Sequence, residues 1–192
     1  MASWSSIILG CSLSLAGFSL AGCAAHASLP FYSAVPDFSL TDQNGVTFDS
    51  ASRLKGSVWI ADFIYTTCPG PCPRMSSQMH QVQTALSGLD GFRLVSFTVD
   101  PEHDTPPVLN DYSKIFHAEP GIWFFLTGAQ PTLQHLSRDV FMLGDVNGSL
   151  EHSTRFVLMD RNSKVRGFYL TEEPDAIPRL IADTKRLLKD KS

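Results

Sequence analysis

The polarity pattern of the chain changes period several times, and each change marks an element. Residues around Phe38 and Leu40 alternate, a Gln43-Asn44-Gly45 turn follows, and a second alternating run passes through Val46 and Phe48. That pattern predicts a β-hairpin. The stretch SVWIADFIYTT, residues 57 to 67, is apolar and rich in β-branched and aromatic residues, which predicts a buried central strand. From Arg74 to Leu86 the period becomes helical, with Met75, Met79, Val82 and Leu86 at spacings of four, three and four. FRLVSFTVD (92–100) reads as a second buried strand, and DTPPVLNDYSKIF (104–116) as a helix with an Asp or Thr cap and prolines in its first turn. IWFFLTG (122–128) gives another strand and QPTLQHLSRDVFM (130–142) another helix; TRFVLMDRNSKVRGFYL (154–170) divides at Asp160 to Lys164 into a hairpin. EPDAIPRLIADTKRLLKD (173–190) closes the chain as an amphipathic helix with its basic residues late, where they suit the helix dipole.

This order predicts an α/β protein with a mixed central sheet flanked by helices. Cys68 and Cys72 fall at a strand-to-helix junction, followed by a βαβ unit and a late hairpin. That is similar to the thioredoxin-like arrangement, with the N-terminal β-hairpin and the unit at residues 120 to 143 as elaborations. In open α/β sheets, chemistry gathers at the carboxyl ends of the parallel strands, where Cys68 is expected.

Composition adds the compartment. The first 22 residues carry no charged side chain, and an apolar run from Ile7 ends in Leu20-Ala21-Gly22-Cys23. The run reads as a secretory signal, and its end resembles the lipobox of bacterial lipoproteins, in which the cysteine, here Cys23, is acylated. No Lys or Arg precedes the run, a departure from that pattern, and an uncleaved anchor over Ile7 to Ala25 is the alternative. Both readings place the remainder outside the cytoplasm, tethered to the membrane of a bacterial cell envelope. The expected organisation is a signal or anchor over 1–22, a tether over 23–35 and one domain over 36–192. A formal net charge of −4 and the lack of any basic run argue against a nucleic-acid surface.

The chemistry concentrates in TTCPGPCPRM, residues 66 to 75. Outside the cytoplasm a cysteine pair is oxidised, metallated or kept reduced by a partner. A disulfide across so short a loop would add only about 2 kcal/mol, so a purely structural bond is disfavoured. A helix amino terminus is expected to favour both thiolates. Thioredoxin-like oxidoreductases usually separate their cysteines by two residues, whereas three intervene here; they also carry a proline before the strand antiparallel to the central one. In that place the chain has Glu151-His152-Ser153-Thr154. An antiparallel strand starts where the central strand ends, so His152 is expected to approach Cys68 and Cys72. Two thiolates and an imidazole suit Cu(I), and with an added ligand Cu(II); zinc competes but normally takes a fourth ligand.

These stretches resemble the SCO/SenC family of membrane-tethered copper proteins. FIYTTCPGPCPRM matches the family's Cys-x-x-x-Cys-Pro motif, FTVDPEHDTPPVLNDYSKIF its strand, acidic loop and helix, and EHSTRFVLMD the segment bearing its copper-binding histidine; PGIWFFLTG also fits. The resemblance runs from about Pro36 to Leu188. It implies a thioredoxin-like fold and Cys68, Cys72 and His152 as copper ligands. It implies a metallochaperone, with thiol–disulfide reductase activity left open, that assists assembly of the dinuclear copper site of cytochrome c oxidase by delivering copper or reducing the target's cysteines. The partners implied are the copper-bearing oxidase subunit and other copper or thiol-redox proteins. The alternative is a thiol–disulfide oxidoreductase, with copper incidental and Cys68 and Cys72 as its redox pair. The Pro69-Gly70-Pro71 loop, similar to the Gly-Pro of thioredoxin, keeps that alternative open.

Asp100 and Asp104 follow a buried strand near the cysteines. Either they orient His152 or receive a partner, or Asp104 caps the next helix and Asp100 ties a turn, which is the preferred reading. Met75 and Met79 read as core. His80, His117 and His135 are assigned to helices and His103 to a loop, all solvated rather than metal-binding.

Overall fold

A computed structural model describes Met1, residues 28–143 and residues 153–190. Cys23, Glu151 and His152 lie outside the described residues. The hairpin pairs β1 (Ser39–Asp42) with β2 (Thr47–Asp49), closed by Asp42, whose carboxylate accepts the Asn44 and Val46 N–H groups. A one-turn helix, α1 (Ser50–Arg53), follows, its N-cap Asp49 accepting the Ala51 N–H. Then come β3 (Val58–Ile64), α2 (Pro71–Leu86), β4 (Phe92–Thr98), α3 (Pro106–Ile115), β5 (Trp123–Thr127) and α4 (Gln130–His135). The hairpin of β6 (Arg155–Met159) and β7 (Val165–Leu170) leads to α5 (Ala176–Lys189).

The seven strands form one mixed sheet in the order β2-β1-β5-β4-β3-β6-β7. The central three are parallel, with Ala61 of β3 opposite Val95 of β4, while β6 and β1 flank them antiparallel. All seven residues of β3 are buried, as a strand covered on both faces requires. Its alternate side chains divide between two cores. Trp59, Ala61 and Phe63 face a cluster with Phe38, Phe97 and Phe141; Val58, Ile60 and Ile64 face Met75, Met79, Val82 and Leu86 of α2. Both methionines are fully buried, as the helical spacing predicts.

Two details depart from the sequence reading. The helix predicted over 130–142 is α4 followed by a π-turn at Leu136–Val140, in which the Phe141 N–H reaches the Leu136 carbonyl. This wider turn brings both Phe141 and Leu136 into the core. Residues of the expected tether are held against β7. Tyr32 donates to the Val165 carbonyl, Val165 to Ser33 and Val35 to Ser163, and Arg166 binds the carbonyls of Leu29 and Pro30.

Among the described residues no helix is long and apolar enough to cross a membrane.

Candidate metal and thiol site

Strands β3, β4 and β5 end on one side of the sheet, and two loops meet there: residues 65–70 after β3 and residues 99–105 after β4. Pro71 opens α2 at a position where its missing N–H costs nothing. Cys68 therefore stands in the loop rather than on the helix, with its N–H on the Tyr65 carbonyl at 3.3 Å. Cys72 is the second helical residue and fully buried; Cys68 is 6% exposed, and the two are not joined in a disulfide.

The two sulfurs differ in character. Burial opposes ionisation of Cys68, but hydrogen bonds from the Cys72 side chain and backbone, the Gly70 backbone and the Tyr65 hydroxyl outweigh it and hold its thiol below the usual value. Burial pushes the Cys72 thiol far up, and its bond to Cys68 adds to this. The expectation that the helix terminus would favour both thiolates is thus met only at Cys68. At Cys72 the cost of removing charge from water exceeds what the dipole returns. Tyr65 answers the same contact, its phenol pushed up to about 12 chiefly by the bond to Cys68.

Asp104 is fully buried and does not cap α3, whose N-cap is Thr105 without a side-chain bond. Its carboxylate instead accepts the Thr66 N–H at 3.1 Å, the Thr66 hydroxyl at 2.5 Å and the Thr98 hydroxyl at 2.5 Å. Half-exposed His103 adds an Nδ1 contact at 3.0 Å. Asp104 therefore ties the cysteine loop to the end of β4. The backbone of Asp100 closes the neighbouring turn, its carbonyl accepting the Asp104 N–H and its own N–H reaching the Thr98 hydroxyl.

Asp62 was not singled out from the sequence, although a lone carboxylate within SVWIADFI is itself a signal. It lies on the α2 face of β3, fully buried, with Oδ1 accepting the Ser96 hydroxyl at 2.6 Å and Oδ2 unpartnered among the described residues. Burial, only partly offset by the Ser96 bond, raises its carboxyl to about 7, and its field raises the Cys72 thiol further.

The Thr154 carbonyl accepts the Thr171 N–H at 2.9 Å, and the Thr171 carbonyl accepts Arg74 and Gln78 of α2 at 3.0 and 2.9 Å. The backbone two positions beyond His152 is thus linked through one residue to the helix that bears Cys72. Of the other histidines, His135 pairs with Asp139 on α4 and the π-turn after it. His117 lies beyond the end of α3 rather than in a helix.

A family model described as SCO1/SenC matches residues 27–189. A SCO1/SenC family lipoprotein from Bacillus anthracis is 32% identical and superposes with a TM-score of 0.74, covering 82% of this chain and 96% of its own. BsSco of Bacillus subtilis, a member of the Sco family of cytochrome c oxidase assembly proteins in which a disulfide switch is identified, is 31% identical with a TM-score of 0.75, covering 85% and 98%. ScoI of Bradyrhizobium japonicum, solved with copper bound, is 26% identical with a TM-score of 0.67, covering 81% and 99%. They share the thioredoxin-like fold found here. With nearly the whole described chain matched and these relatives covered almost end to end, the chain belongs to the SCO1/SenC family.

Proposed function

We propose that the protein binds one copper ion through Cys68, Cys72 and His152 and serves as a metallochaperone in assembly of the dinuclear copper site of cytochrome c oxidase. The observation that carries the reading is the reduced, mutually hydrogen-bonded cysteine pair at the carboxyl end of the central strand. Two sulfurs already in contact need little rearrangement to share a soft ion, and Cu(I) prefers thiolate and imidazole donors. The Thr154–Thr171–Arg74 linkage supports the third ligand, because it holds the strand entry next to His152 against α2. Copper bound to ScoI of B. japonicum and the oxidase-assembly role of BsSco support the same reading. The lipoprotein relative supports acylation at Cys23 and a domain tethered in the bacterial cell envelope.

The unequal thiols favour a second reading, thiol–disulfide exchange. A lowered Cys68 suits nucleophilic attack, a buried Cys72 suits resolution of the mixed disulfide, and BsSco has a disulfide switch. The discriminating experiment titrates the reduced protein and its His152→Ala variant with copper against a competing chelator. One tight equivalent that weakens at least a hundredfold in the variant supports the three-ligand site. Weak binding that the substitution leaves unchanged would overturn it, and the dithiol's reduction potential then becomes the defining property.

A further inference from the structure

His80 on α2 and His117 just after α3 are 37 positions apart in sequence (117 − 80), yet their rings meet with centroids 5.7 Å apart at an interplanar angle of 57°. With metal–nitrogen bonds of about 2.0–2.1 Å, two imidazoles sharing one ion place their ring centres roughly 5 to 6 Å apart. The observed separation falls in that range. A tilt of 57° is ordinary for an edge-on ring pair, so the separation and not the angle bears on a shared ion.

Three further observations bear on the same place. Nδ1 of His80 is buried without a hydrogen-bond partner among the described residues, and an unsatisfied buried nitrogen costs about 1–3 kcal/mol. His117 takes a left-handed backbone with φ of 52°. That position follows the helix cap, where glycine is the usual residue, and an imidazole is held there at a cost in strain. The loop carrying it is also fixed from both sides. Buried Gln83, one turn along α2 from His80, donates to the His117 carbonyl at 3.0 Å and accepts the Glu119 N–H at 2.9 Å. The N–H groups of His117 and Ala118 close onto the Lys114 and Ser113 carbonyls. Two imidazoles are therefore presented together, one from α2 and one from a loop that Gln83 of α2 fastens.

We propose that His80 and His117 form a second metal site, separate from the cysteine loop, that takes a divalent first-row cation with imidazole preference. Copper(II) binds it most tightly and zinc(II) less so, in the order expected for nitrogen donors. Water completes the coordination. No redox step is involved, and the site does not depend on the copper reading of Cys68, Cys72 and His152.

The test uses the full chain carrying Cys68→Ser, Cys72→Ser and His152→Ala, which removes the candidate ligands of the cysteine site. Titration with Cu(II) is followed by electron paramagnetic resonance, which registers coupling to imidazole nitrogens. The expected result is one equivalent coupled to two such nitrogens. Adding His117→Gly then weakens binding at least tenfold while keeping or raising the thermal midpoint, because glycine is at ease at that φ; the stability readout separates ligand loss from misfolding. A background chain that binds no Cu(II), or affinity unchanged by His117→Gly, would overturn the site. Neither result bears on copper binding by the unmodified cysteines, which is measured on the parent chain.

Discussion

The hydroxyl of Thr66, two residues before Cys68, lies 2.5 Å from the carboxylate of Asp104, 38 positions later in the chain. The same carboxylate takes the Thr66 N–H and the Thr98 hydroxyl, so a single buried anion fixes the loop that presents the first cysteine. An acceptor-only carboxylate matches three donors, whereas an amide would set one N–H₂ against them. Asp104→Asn is expected to lower stability by about 2–4 kcal/mol, as loss of charge-assisted bonds at a buried site implies. Denaturant unfolding measures this. Hydrogen exchange should show residues 65–70 losing protection in the variant while the core of β4 keeps it; unchanged protection would remove Asp104 from control of the loop.

Asp62 gives stability a pH dependence. Its folded carboxyl titrates at about 7, against an ordinary value of 3.8. The folded state thus holds a proton that the unfolded chain has already released. The stability this contributes is fully present below about pH 4 and is lost as pH rises towards 7. Asp62→Asn keeps the acceptor for Ser96 but cannot ionise. The variant should be more stable than the parent at pH 8 by roughly 1–3 kcal/mol, and the difference should shrink towards pH 4. Parallel pH profiles of the two unfolding curves would disprove the assignment.

Tyr65 donates to Cys68 and so favours its thiolate. Removing a bond worth about 1 kcal/mol should slow alkylation of Cys68 near neutral pH by roughly fivefold in Tyr65→Phe. The rate-against-pH curve should move to higher pH without change in its plateau. A lowered plateau with an unmoved curve would instead indicate altered access to the sulfur.

The inequality of the two cysteines predicts an order of modification. Iodoacetamide should label Cys68 first in the reduced chain, and Cys72 should react only slowly even in Cys68→Ser, since burial disfavours its thiolate. Mass spectrometry of timed digests reads this directly. Equal labelling of both would contradict the environments described above.

How much of this was legible in the sequence depends on the range of each signal. Met75, Met79, Val82 and Leu86 declared their helix because periodicity is local, and all four are fully buried. Ile60 and Trp59 declared a two-sided strand by the same logic. Asp104 was misread as a helix cap because caps have a local signature, whereas a bond to Thr66 has none. The π-turn at Leu136–Val140 was hidden because its apolar residues also fit an ordinary helix. The meeting of His80 and His117 could not be read, since it depends on how α2 and α3 pack on one sheet face. The cysteine motif was conspicuous, but its electrical asymmetry required knowing that hydrogen bonds outweigh burial at Cys68 and that burial prevails at Cys72.

The docking of residues 29–35 onto β7 has a mechanical consequence. Those residues grip the beginning of the strand, at Ser163 to Arg166, and Phe31 and Tyr32 add ring contacts to Lys164 and Phe168. β7 runs from there back towards the cysteine side, a climb of about 17 Å at the usual rise of a strand. The N-terminal segment thus attaches at the pole of the domain opposite its cysteines. If Cys23 is acylated as proposed, a chain from it to the grip at Leu29 could reach at most about 20 Å even fully extended. A domain moored at Cys23 would have little room to wander and would ride close above its anchorage, with the cysteine loop turned outward, away from the surface that holds it.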